Sequence, residues 1–141
     1  MPSQLPSILH LHHAQIAIPR GQEAQARAFY CDLLGLHEIE KPDSLKGRGG
    51  FWVMVGDQQL HIGVEDGVNR SRTKAHLAYQ VADLAGWQAH LLVNGVSIGD
   101  SIPIPGYARF EFRDPFGNRV EFICSLDEET NADTTMDEWR S

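Results

Sequence analysis

Four residues of this 141-residue chain have the types and spacing for shared chemistry: His13, His61, His76 and Glu121. His13 and His76 lie 63 positions apart, each near the start of a strand-like stretch that leads into a helix. His61 and Glu121 lie 60 apart, each three to four residues beyond a glycine-containing turn. Two imidazoles and one carboxylate suit a first-row divalent metal with open positions, and a third histidine would fill a fourth site. A metal would also offset the cost of placing a carboxylate in a cleft. The expected cofactor is one divalent ion, Fe, Mn, Ni or Zn, with Glu121 as both ligand and candidate base.

These residues need rigid elements behind them. Residues 8–18 read as a first strand, stopped by Pro19. Residues 22–34 read as a helix, because Ala26, Phe29, Tyr30, Leu33 and Leu34 form one apolar stripe, with Gly35 at its end. Short strands follow at 37–40, 51–55 and 59–64. Residues 65–74 are polar and read as a connection. The pattern then restarts with a strand at 75–81. Asp83 is a suitable N-cap for a helix at 84–93, and strands follow at 96–98, 107–113 and 119–124. A βαβββ unit thus occurs twice. The expected fold class is α+β, with the two modules forming one strongly curved mixed sheet, a half-barrel, and helices on its outer face. The expected organisation is a lead-in at 1–7, one domain at 8–125 (module one 8–66, linker 67–74, module two 75–125) and an acidic, disordered tail at 126–141.

Alternation along strands assigns the faces. His13, Gln15 and Ala17 oppose Ala14, Ile16 and Ile18. His76, Ala78 and Gln80 oppose Leu77, Tyr79 and Val81. Arg119 and Glu121 oppose Val120 and Phe122, and His61 opposes Leu60 and Ile62. The apolar faces belong against the helices, so the ligand faces belong on the concave side. The same alternation turns His10 and His12 away from the cleft, and these two, with His37 and His90, are read as ordinary histidines. Gln15 and Gln80 share the ligand faces and are candidate contacts to ligands or substrate. Arg109, beside Tyr107 and a glycine-proline loop, is a candidate for an anionic substrate oxygen or for pairing with an acid. Only one of Phe51 and Trp52 can face the cleft, and Trp52 is carried as a candidate contact. The segment Lys46-Gly-Arg-Gly-Gly50 is basic and glycine-rich, but it lacks P-loop spacing and reads as a loop, with a lid as one use.

Composition sets outer limits. The formal charge is −7, of which residues 126–141 contribute −5 through six acids against Arg140, leaving about −2 elsewhere. A near-neutral body gives no electrostatic reason to expect nucleic acid. No apolar run is long enough for a membrane span, and residues 1–7 lack signal-peptide character, so the expected location is the cytoplasm. Cys31 and Cys124 have no metal-binding spacing and read as buried free thiols.

Three segments carry a family resemblance: His13-Ala-Gln-Ile-Ala-Ile18, Ala28-Phe-Tyr-Cys-Asp-Leu-Leu-Gly-Leu36 and Arg113-Asp-Pro-Phe-Gly-Asn-Arg-Val-Glu121. The chain resembles the vicinal oxygen chelate superfamily, which includes glyoxalase I, bleomycin-resistance proteins, fosfomycin-resistance enzymes and extradiol dioxygenases. The resemblance spans about residues 8–124. It implies paired βαβββ modules, a metal at His13, His61, His76 and Glu121, and often a homodimer with its site near the subunit interface. It also implies chelation of a small substrate's adjacent oxygens, with lyase, isomerase or dioxygenase chemistry. At the position of His61, glyoxalase I looks to have a carboxylate, so this chain would have one candidate base fewer. Two other readings stand beside the metalloenzyme. One is an antibiotic-resistance protein that opens an epoxide or sequesters a drug. The other is a non-catalytic domain with a structural metal.

Overall fold

A computed structural model describes residues 4–127; the acidic tail beyond residue 127 lies outside the described residues. The chain divides after Gly67 into two compact units. Each is a four-stranded mixed sheet with a helix, in βαβββ order.

In the first unit, β1 (His13–Ile18) leads to α1 (Glu23–Arg27). β2 (His37–Ile39), β3 (Phe51–Val55) and β4 (Gln58–Val64) follow, in sheet order β1-β4-β3-β2. β1 runs parallel to β4, with His13 opposite Gln59 and Gln15 opposite His61. β3 runs antiparallel to β4 and sets Trp52 opposite His61. The core is built from Ile18, Tyr30, Phe51, Val53, Leu60 and Ile62, all nearly inaccessible.

Two expectations are corrected here. The first strand starts at His13 rather than at residue 8. Its partner β4 begins at Gln58, after the Gly56–Asp57 turn, so earlier residues have no strand to pair with, and Leu5, Ile8, Leu9 and Leu11 are exposed. The helix expected over 22–34 is α-helical only over Glu23–Arg27 and continues as a π-helix over Ala28–Leu33. The amide of Leu34 donates to the Phe29 carbonyl, five residues back. Gly35 then takes φ +78, and the Leu36 amide closes the end on the Tyr30 carbonyl. Burial of Ala26, Phe29, Tyr30 and Leu34 survives the change of helix type.

The second unit repeats the plan. β5 (His76–Gln80), α2 (Leu84–Val93), β6 (Gly99–Asp100), β7 (Tyr107–Arg113) and β8 (Arg119–Ser125) form a sheet of order β5-β8-β7-β6. The parallel β5–β8 pair sets His76 opposite Arg119 and Ala78 opposite Glu121. Asp83 caps α2 by accepting from the Gly86 amide at 2.9 Å. Leu84 and Leu91 are buried, and Trp87 meets Phe122 edge-on at 5.1 Å. The strand expected at 96–98 lies instead at Gly99–Asp100, because the Val96 amide is used in closing α2 on the Leu91 carbonyl. In the stretch read as a connection, residues 70–72 make a 3₁₀ turn whose Arg70 is buried. Cys124 is a buried free thiol, whereas Cys31 is only partly buried, on the rim of the π-turn. Among the described residues, no helix is long and apolar enough to cross a membrane.

Candidate metal centre

Each unit brings two of the four candidate ligands together. In the second, a polar turn sets up β8. Asp114 is buried, and its Oδ1 accepts from the amides of Phe116 at 2.9 Å and Asn118 at 2.8 Å, while its Oδ2 accepts from Asn118 Nδ2 at 2.8 Å. Gly117, at φ +97, packs against Ser71 and Arg70 where a Cβ would be tight. Arg113 donates to the carbonyls of Arg70 at 3.3 Å and Gly117 at 3.0 Å. The Asp-Pro-Phe-Gly-Asn motif is therefore a turn that fixes the register of β8, and through it the place of Glu121.

Glu121 is 4% exposed. Its Oε1 accepts from Arg109 Nη1 at 2.8 Å and lies 3.5 Å from His76 Nε2. The other ring nitrogen of His76, Nδ1, donates to the Lys74 carbonyl at 2.9 Å. That bond holds the ring with Nε2 turned toward the carboxylate, as in a metal-ligating histidine held by a backbone carbonyl. Ligands each about 2.0–2.2 Å from a zinc-like ion, at tetrahedral or octahedral angles, lie roughly 3–3.5 Å apart. His76 and Glu121 therefore fit two positions on one divalent ion in separation and donor chemistry.

All three nitrogens of Arg109 are engaged inside the module. Its Nε and Nη2 donate to the Ile102 carbonyl at 3.0 and 2.6 Å, and its Nη1 holds Glu121. Beside this pair, Arg119 bonds Glu111, which lies directly opposite Glu121 across β7 and β8. Tyr107 and Gln80 are exposed at the strand ends. On the core face Tyr79 is tucked under the sheet, where burial, aided by the negative charge of Asp114, pushes its phenol well above the ordinary range.

The first unit is built differently. His61 is buried between two rings: Trp52 lies parallel to it at 3.7 Å and His13 stacks on it at 4.0 Å. His61 Nε2 donates to Gln59 Oε1 at 3.0 Å. Burial, then the neighbouring His13, lowers its proton affinity. Ring-nitrogen lone pairs lie in the ring plane, so two stacked rings aim theirs side by side. His61 joins His13 on an ion only by turning out of the stack. His12 Nδ1 lies 3.0 Å from His13 Nδ1, at the point where the strand begins. Gln15 reaches over Gly63, where any Cβ would collide with its amide.

These rings form one wall of an open cleft of about 690 Å³, which Lys41, Arg48 and Arg20 also line. Sequence reading passed over Gln59 and Lys41 and took Arg48 only as part of a loop; the parity of β4 alone would have placed Gln59 beside His61. Among the described residues, no group of three or more His, Cys, Asp or Glu gathers as a ligand set. The candidates occur as the two pairs described, one in each unit.

The model of the Glyoxalase/Bleomycin resistance protein/Dioxygenase superfamily matches residues 10–122. The chain belongs to this superfamily. A glyoxalase family protein from Bacillus anthracis is 40% identical, with a TM-score of 0.80 over 86% of this chain and 99% of that one. Two more distant structures share the fold. Lactoylglutathione lyase from Agrobacterium tumefaciens is 20% identical, with a TM-score of 0.64 over 84% of this chain and 95% of that one. A mutant of the fosfomycin resistance protein FosX from Listeria monocytogenes, complexed with Mn(II) and a dihydroxypropylphosphonic acid, is 18% identical, with a TM-score of 0.70 over 86% of this chain and 97% of that one. No curated protein matches the sequence.

Proposed function

We propose that the protein is a metal-dependent enzyme of the vicinal oxygen chelate type acting on a small oxygenated metabolite, by lyase, isomerase or dioxygenase chemistry. The observation that carries this reading is the His76–Glu121 pair. Its separation is 3.5 Å, the ring of His76 is held by the Lys74 carbonyl, and the buried carboxylate is oriented by Arg109. His13, at the equivalent place on β1, supplies the third ligand. His61 supplies a fourth on leaving its stack.

A bound divalent ion would supply Lewis-acid polarisation of substrate oxygens. The chain's own groups do the rest. Arg109 holds Glu121 in orientation through Oε1, and Glu121 is the candidate base for a proton on the substrate carbon or on water. Gln15 is placed to donate to a substrate oxygen beside His13, and Trp52 offers a flat apolar wall. The family supports a cytoplasmic homodimer, which light scattering on the purified chain tests separately.

The test is elemental analysis of untagged protein purified without chelator. Near one Fe, Mn, Ni or Zn per chain is expected, and the identity of the ion ranks dioxygenase against isomerase. No metal, and none taken up on titration, would overturn the reading.

A further inference from the structure

We infer that the cleft of the first unit binds the anionic end of the substrate, a carboxylate, phosphate or phosphonate group, with Arg48 as its main contact. This names a substrate class for the enzyme proposed above and rests on that reading.

The cleft wall is cationic. Arg20, Lys41 and Arg48 line it, and among the described residues no Asp or Glu does. Two of the three are already committed. Arg20 pairs with Asp66 at 3.5 Å, outside the lining, and Lys41 Nζ donates to the Gly49 carbonyl at 2.6 Å. Arg48 has neither an ion-pair nor a hydrogen-bond partner among the described residues. In the same loop, Lys46 is matched by Asp43 at 2.8 Å. An exposed arginine that lines the cleft with no partner among the described residues, beside a loop-mate that is matched, suits a carboxylate or phosphate by its chemistry.

The loop that carries Arg48 is a built wall. Lys41 ties its start to its end through Gly49. Residues 43–48 form a 3₁₀ turn. Gly50, at φ +76, lies so close to β4 that a Cβ would collide with the Ile62 carbonyl oxygen, which only glycine avoids. On the opposite side lie His13, Gln15 and the Trp52–His61 stack. In the second unit, Arg109 and Arg119 hold carboxylates, and Arg113 holds carbonyls.

Calorimetric titration of the Mn(II)-loaded full chain tests this with three chelators: neutral acetohydroxamate, succinic monohydroxamate with a carboxylate tail, and phosphonoacetohydroxamate. At least one tailed chelator is expected to bind about tenfold tighter than acetohydroxamate, as for one charge-assisted contact. Arg48→Ala should remove that gain and Lys46→Ala should keep it. The tighter of the two tails names the anion. If acetohydroxamate binds and neither tail adds affinity, or the gain survives Arg48→Ala, the anion site is wrong while the metal reading stands. If no chelator binds, the metal reading fails. The anion site is then read on the metal-free, ¹⁵N-labelled chain titrated with inorganic phosphate. Saturable shifts at the Gly47 and Gly49 amides, lost in Arg48→Ala, support it, and their absence overturns it.

Discussion

The two modules share one plan and fill it with opposite chemistry. His13 faces Gln59 across β1 and β4, and His76 faces Arg119 across β5 and β8. Two residues on, His61 and Glu121 occupy matching positions. Their neighbours on the antiparallel side are Trp52 and Glu111. In the first module the result is an aromatic stack beside a cleft lined by Arg20, Lys41 and Arg48. In the second it is a buried carboxylate inside a network of paired charges. A repeated backbone thus conserves where side chains point, while the residue at each point decides whether the face holds rings or charges.

Breaking the charged side should have the largest effect. Glu121→Gln keeps the shape and removes the charge, and metal affinity measured by competitive titration should fall by about 100-fold or more. Unchanged affinity would remove Glu121 from the site. Arg109→Met next leaves a buried carboxylate with only His76 beside it, and should cost about 3 kcal/mol in urea denaturation. A loss below about 0.5 kcal/mol would mean that the pair does not hold the module.

The core face of the second module offers a pH test. The raised Tyr79 phenol stays neutral in the folded chain while it ionises near pH 10 in the unfolded one. Its contribution is therefore complete below pH 10 and is lost as pH rises above it, at about 1.4 kcal/mol per pH unit. Tyr79→Phe should flatten that slope in denaturation curves taken between pH 9 and 11, and an equal slope in both would exclude Tyr79 as its source.

The smallest expected effect sharpens the comparison most. His61→Phe keeps a flat ring between Trp52 and His13, so stability should change by less than about 1 kcal/mol. The same variant separates two roles for His61. Retained metal affinity makes it a stacking residue, and affinity lost to the extent of His13→Ala makes it a ligand.

Alternation and repeat length were enough, from sequence, to set the two βαβββ modules. They also put His76 and Glu121 on one face of their sheet and Leu60, Ile62, Val120 and Phe122 on core faces, because strand geometry leaves a side chain only two directions. Where that period met a cap or ran out of partner, sequence reading failed. The strand at 96–98 was displaced by the closure of α2, residues 8–12 had no strand to pair with, and the π-turn at 28–33 was hidden because its apolar stripe reads like that of an α-helix. Tertiary structure alone decided the states of the functional groups. The ring of His61 lies between two others, Arg109 is held on Glu121 and the Ile102 carbonyl, and Arg48 lines a cleft with no partner among the described residues. Each depends on distances of a few ångströms between segments far apart in the chain, and hydrogen bonds and ion pairs are made or lost over that range.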